Sequence, residues 1–141
     1  MAISPNLVYL LDTSVIKRLR DPCVRGALEP LARRGQAARS TICDLEVGYS
    51  ARNADEWDHL IAALDAFAPV ETTATHVRRA LQVQRLLAAR SQRGRKIPDL
   101  LIAATAEERG MVVLHYDGDY DLISEVTGQP VEWISPRGTI S

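Results

Sequence analysis

Three observations predict an α/β fold built on a central parallel sheet. Short apolar runs alternate with helical stretches along the whole chain. The strongest runs carry no interspersed polar residue, as expected of strands covered on both faces. Acids stand directly after two of these runs, where ligands bind in open parallel sheets. Right-handed crossovers then place helices on both sides of the sheet, giving three layers. A length of 141 residues fits one domain, 1–141, with enough chain to bury a core unaided by disulfides.

Leu7–Leu11 reads as the first strand, ending at Asp12. Thr13 and Ser14 are good capping residues for a helix reaching about Arg20. Asp21-Pro22 opens the next helix, and Gly35 closes it. Ala37–Arg39 is a second short strand, followed by Thr41-Ile42-Cys43-Asp44, which resembles a capping box with Asp44 as its acid. The helix it opens carries Glu46 and runs to about Arg52. Trp57, Leu60, Ile61, Leu64 and Phe67 continue at helical spacing, and a brief strand follows near Pro69–Glu71. Val77, Ala80, Leu81, Gln84 and Leu87 mark the apolar face of a long helix. Ser91–Lys96 is a basic loop, and Pro98 suits the first turn of a helix over about Asp99–Arg109, ended by Gly110. Met111–Leu114 is a buried strand, Asp117-Gly118-Asp119 a turn, Tyr120–Val126 a short helix and Val131–Ile134 the last strand.

Composition narrows the function classes. With 46% hydrophobic and 25% charged residues the chain is ordinary globular protein, not a disordered tail, collagen or coiled coil. Its apolar runs fall far short of the roughly 20 residues of a membrane span, and the first residues lack the pattern of a signal peptide. Cys23 and Cys43 are too few for a disulfide scaffold and read as small core residues, so a reduced, cytoplasmic setting is expected. Net charge is −1, yet residues 72–98 hold seven bases and no acid, while 99–141 hold eight acids and two bases. Such segregation fits either a solvated basic face or phosphate contacts beside an acidic centre.

The acids carry the chemistry. Asp12 follows the first strand, and Asp117 and Asp119 follow the fourth, so both groups lie at one sheet edge. Asp99 begins a packed helix whose N-terminus rises at that edge, and Glu46 sits one turn into another helix. Alone, Asp12 also fits capping, Asp117 and Asp119 a turn, and Asp99 a favourable place on the helix dipole, while Glu46 alone is uninformative. Together, five carboxylates in one cleft must share protons or hold a hard cation, for which oxygen ligands suit Mg²⁺ or Mn²⁺. Asp44 and Asp121 are read as a capping acid and an exposed helical residue, and His59 and His76 as surface residues. His115 lacks the partners of a zinc site. Phosphate-binding glycine loops and the G-x-S-x-G elbow are absent.

LLDTSV at 10–15, EVGYSA at 46–51, PDLLIAATA at 98–106 and HYDGDYD at 115–121 resemble the four signature blocks of PIN-domain ribonucleases, and within these the VapC toxins of bacterial toxin–antitoxin pairs. The resemblance runs from residue 8 to 134. It implies a PIN-like three-layer fold and a metal-dependent endoribonuclease toxin. The family acids fall on Asp12, Glu46, Asp99 and Asp117, with Asp119 as a further acid and Thr13 as the hydroxyl that orients the cluster. Glu46 then positions or deprotonates the attacking water, or ligates a second metal. The resemblance also implies Mg²⁺ or Mn²⁺ as cofactor, a homodimer, and a VapB-type antitoxin that inserts a basic side chain into the acidic pocket. His115 stands where the family often has Thr, Ser or Asn, and Tyr120 where it often has Phe, an exchange expected to pack equally well. Arg93, Arg95 and Lys96, just before Asp99, are the candidate RNA contacts.

Two rival readings stand beside it. A receiver-like module would hold Mg²⁺ around a phosphorylated Asp, but expects paired acids at the first strand and a late Lys, and no Lys lies beyond Lys96. The other is a PIN scaffold that binds RNA or protein without cleaving.

Overall fold

The computed structural model describes residues 8–140, so Leu7 of the expected first strand lies outside the described residues. Five strands, β1 (Tyr9–Leu11), β2 (Ala37–Ser40), β3 (Ala68–Val70), β4 (Val112–His115) and β5 (Val131–Trp133), form one sheet in the order β3-β2-β1-β4-β5. Every pairing is parallel, with Leu10 opposite both Ala38 and Val113. Seven helices connect them: α1 (Thr13–Ile16), α2 (Pro22–Arg33), α3 (Thr41–Tyr49), α4 (Ala54–Ala62), α5 (Ala74–Ala89), α6 (Ile97–Arg109) and α7 (Asp119–Thr127).

Successive strand residues point to opposite faces. Leu10 and Leu11 are both fully buried, as are Val113 and, nearly so, Leu114, so helices cover both faces of the central strands. Helices α5, α6 and α7 pack against one another, and α3 against α4. The chain leaves β1 towards β2 and β3, then returns to the other side of β1 with β4. Strand order therefore reverses between β1 and β4, where a doubly covered sheet opens a crevice.

Several local readings need correction. Helix α1 is a single turn and does not reach Arg20. Ser40, with extended backbone, caps α3 by accepting from the Ile42 N–H (3.1 Å), so Thr41 is already helical. Asp44 consequently caps nothing; it accepts from Arg39 Nε (2.8 Å), whose guanidinium also donates to the Leu64 and Phe67 carbonyls. The Trp57–Phe67 stretch is α4 followed by a 3₁₀ turn over Ala63–Ala66. The buried face of α5 is His76, Ala80, Val83 and Leu87, whereas Val77 and Leu81 are exposed. His76 is thus a core residue: its Nδ1 accepts from the Thr73 N–H (2.9 Å) and its Nε2 meets Glu108 (2.8 Å). His59 is exposed as expected. Cys43 is buried, but Cys23 lies exposed in the first turn of α2. Asp121 is half-buried and accepts from the Trp133 indole N–H (3.1 Å).

Candidate metal centre

The crevice between β1 and β4 is where the acids meet. The Asp12 N–H donates to the Leu114 carbonyl (3.0 Å), which locks Asp12 against the end of β4. Asp12 is both cap and cluster member. Its Oδ2 accepts from the Ser14 N–H (3.0 Å), opening α1, and its Oδ1 accepts from the Tyr120 hydroxyl (2.6 Å). Asp99 arrives from the first turn of α6, after Pro98, and Asp117 from the turn after β4. One ligand oxygen from each of Asp12, Asp99 and Asp117 lies within 4.8 Å of the others. They line a cleft of about 230 Å³ together with Thr13, Glu46 and Lys96.

The sequence predicts five converging acids; three converge among the described residues. Glu46 lines the same cleft but is held by Thr13, whose hydroxyl donates to Glu46 Oε1 (2.6 Å). Asp119 turns outward to Arg95 (2.7 Å). Of the three expected RNA contacts, Arg93 is exposed, while Lys96 forms an ion pair with Asp117 and lies 3.5 Å from Asp99 Oδ2. Arg95 and Lys96 therefore serve as internal counter-ions.

Electrostatics separate the three acids. Burial, reinforced by the charge of Asp12, pushes the Asp99 carboxyl up to about 8. Burial also acts upward on Asp117, but the Lys96 ammonium and the Asp119 N–H outweigh it and hold that carboxyl below its usual range. Desolvation disfavours the Lys96 charge, yet the hydrogen bond to Asp117 and the charge of Asp99 raise its pKa overall. Burial pushes the Tyr120 phenol well up, and the charge of Asp12 adds to it, so its proton stays in place as a donor.

The residues present fit a hard divalent cation. Their donors are all carboxylate oxygens. Asp99 Oδ2 is buried without a hydrogen-bond partner, the orphan that a bound cation satisfies.

Two supporting groups escape the sequence patterns. His115 Nδ1 accepts from the Asp117 N–H (3.2 Å) at the position where the family often has Thr, Ser or Asn; burial lowers the pKa of the ring, which keeps it neutral for this role. Tyr120 contributes its hydroxyl as well as its ring. The signal is visible as a Tyr where Phe is frequent, but its hydrogen bond spans 108 positions, which no local pattern reports.

A parallel sheet with three convergent carboxylates at its switch point defines an α/β protein with an acidic, cation-binding centre. Residues 9–126 match the PIN domain model, and the chain belongs to the PIN domain family, in its VapC branch. It is 70% identical over 134 residues to ribonuclease VapC51 of Mycobacterium tuberculosis, covering 95% of this chain and 98% of that protein. Ribonuclease VapC21 of the same species is 46% identical, covering 93% of this chain and 96% of its own. Among solved structures, the DNA-bound VapBC of Salmonella typhimurium superposes with a TM-score of 0.74 at 18% identity, covering 92% of this chain and 99% of that chain. VapBC2 of Rickettsia felis, bound to a promoter DNA fragment, gives 0.76 at 16% identity, covering 90% and 98%. At such identities these structures carry the fold alone.

Proposed function

We propose that this protein, one PIN domain over 1–141, is a metal-dependent endoribonuclease toxin that acts in the cytoplasm and is neutralised by a VapB-type antitoxin. The observation that carries the reading is the meeting of Asp12, Asp99 and Asp117 around a buried Asp99 oxygen that accepts no hydrogen bond. The likeness to ribonuclease VapC51 supports the substrate class. Asp12, Asp99 and Asp117 would hold Mg²⁺ or Mn²⁺, with Asp119 and Glu46 engaged through water. When bound, such an ion makes water a better nucleophile and offsets charge on the scissile phosphate. Glu46, steadied through Oε1 by Thr13, orients the attacking water and takes its proton at Oε2. Arg93, exposed in the loop before α6, contacts RNA phosphates directly, and Arg95 and Lys96 join it when metal and RNA replace their pairing with Asp119 and Asp117.

The placement of Lys96 among the acids supports cation capture as the mode of inhibition. An arginine from the antitoxin would engage two carboxylates at once. Its apolar residues would enter the adjoining groove lined by Ile16, Leu19, Val47, Leu60 and Leu64, which shares Lys17 with the acidic cleft. The reading includes a homodimer, checked by light scattering of the purified protein.

The test is cleavage of RNA by purified protein, with new 5′ ends mapped after induction in cells. Cleavage lost in EDTA, restored by Mn²⁺ and absent from Asp12→Asn supports the proposal. Undiminished cleavage in EDTA overturns it.

A further inference from the structure

We propose that Tyr120 is a positioning residue of the acidic centre, its buried hydroxyl holding Asp12, beside Asp99, in the orientation that a divalent cation requires. The inference rests on the metal-centre reading above and assigns that centre a second layer.

Tyr120 is fully buried, and its hydroxyl meets the carboxylates from within the core. It donates to Asp12 Oδ1 at 2.6 Å and is 3.5 Å from Asp99 Oδ1. With Oδ2 of Asp12 accepting from the Ser14 N–H, both lobes of that carboxylate are fixed by donors of the chain itself. The ring cannot swing away. It stacks on His115, with centroids 5.0 Å apart and planes 29° from parallel, and His115 is flanked in turn by Trp133 at 4.9 Å. His115 also accepts from the Asp117 backbone N–H, so one stacked pair of rings bears on the Asp12 carboxylate and on the turn that carries Asp117.

A phenylalanine in this place would keep the ring contacts and remove the donor. Asp12 Oδ1 would then be a buried anionic oxygen beside a second buried carboxylate, and the two would turn apart. Two consequences of the hydroxyl compete. Withdrawing charge from Asp12 weakens its bond to a metal; fixing its carboxylate beside Asp99 strengthens the centre. The second prevails, because groups that orient metal-binding side chains typically contribute 10–100-fold in affinity.

The experiment compares wild type with Tyr120→Phe by calorimetric titration of Mn²⁺ into chelator-treated full-length protein, alongside thermal melting and RNA-cleavage kinetics. The expected result is a folded protein with a modestly lowered melting temperature, Mn²⁺ binding weakened by about tenfold or more, and a fall in kcat with KM for RNA nearly constant. Tyr120→Leu, which also removes the ring, should lower the melting temperature further. Mn²⁺ binding by Tyr120→Phe within twofold of wild type overturns the assignment while leaving the metal centre standing. Wild type that binds no Mn²⁺ overturns both. A Tyr120→Phe protein that fails to fold also overturns it, since the hydroxyl would then act on the fold and not on the centre.

Discussion

The acidic centre has an inner and an outer half, and the two solve the same electrostatic problem in opposite ways. Inside, Asp12 and Asp99 are nearly inaccessible; Asp12 accepts from the Ser14 N–H and the Tyr120 hydroxyl, and Lys96 stands 3.5 Å from Asp99. Outside, the half-buried Asp117 and Asp119 each pair with a cation from the loop before α6. The shifts follow: Asp99 is pushed up to about 8, and Asp117 is held low. Carboxylates at one sheet edge thus divide by depth. The inner pair is held by burial and neutral donors, while the outer pair is matched by close ion pairs and can exchange partners.

The sharpest way to break this comparison is Asp99→Asn. Loss of a charged inner ligand should abolish RNA cleavage and weaken Mn²⁺ binding by more than about 100-fold, beyond the range of an orienting group. Melting curves recorded from pH 4 to 8 add the sign. The folded protein holds the Asp99 proton more tightly than the unfolded chain, so this group favours folding most below about pH 4 and loses that contribution as pH rises towards 8. Metal-free Asp99→Asn should therefore be more stable than wild type at pH 8, on the order of 1–3 kcal/mol, with the gain fading towards pH 4.

A second experiment titrates Mn²⁺ into wild type at several pH values. Since the inner pair must release a proton to ligate, affinity should rise with pH up to about 8 and then level off. Affinity independent of pH between 6 and 8 would mean that Asp99 is ionised throughout.

Replacing Lys96 by Met tests the outer half. The ammonium competes with a divalent ion for Asp117 and Asp99, so Mn²⁺ affinity should rise several-fold and metal-free melting temperature should drop. For RNA, the Arg93→Ala, Arg95→Ala, Lys96→Ala triple variant should reduce the salt slope of binding by about 0.7 for each phosphate that the variant leaves without its basic side chain. The smallest effect is expected from Asp119→Asn, which breaks a surface-edge pair with Arg95: about 1 kcal/mol or less in stability, and cleavage within a few-fold of wild type. A drop in cleavage as large as that of Asp99→Asn would erase the distinction between the halves.

Much of this is legible in the chain. Alternating apolar runs and helix signals yield all five strands, and Asp12 and Asp117 declare themselves by standing just past two of them. What stays hidden depends on contacts between distant positions or on a shift of one residue. Ser40 takes the cap expected of Thr41, which frees Asp44 for Arg39. The buried face of α5 passes through His76 in place of Val77, turning an expected surface histidine into a core one. Arg95 and Lys96 look like free bases until α6 is set beside the β4 turn. No spacing rule connects Tyr120 to Asp12.

The switch-point position of the centre also sets when it can exist. β1 is synthesised first, but the strand that completes its crevice is β4, and the tyrosine that secures Asp12 follows only afterwards. At translation rates of roughly 5–20 residues per second, a growing chain spends several seconds with Asp12 made and Asp117 not yet made. A ribosome-arrested chain ending before β4 should therefore bind no Mn²⁺. An interval of harmlessness is thus written into the strand order, and a protein whose centre damages RNA assembles it only once β4 and α7 have been made.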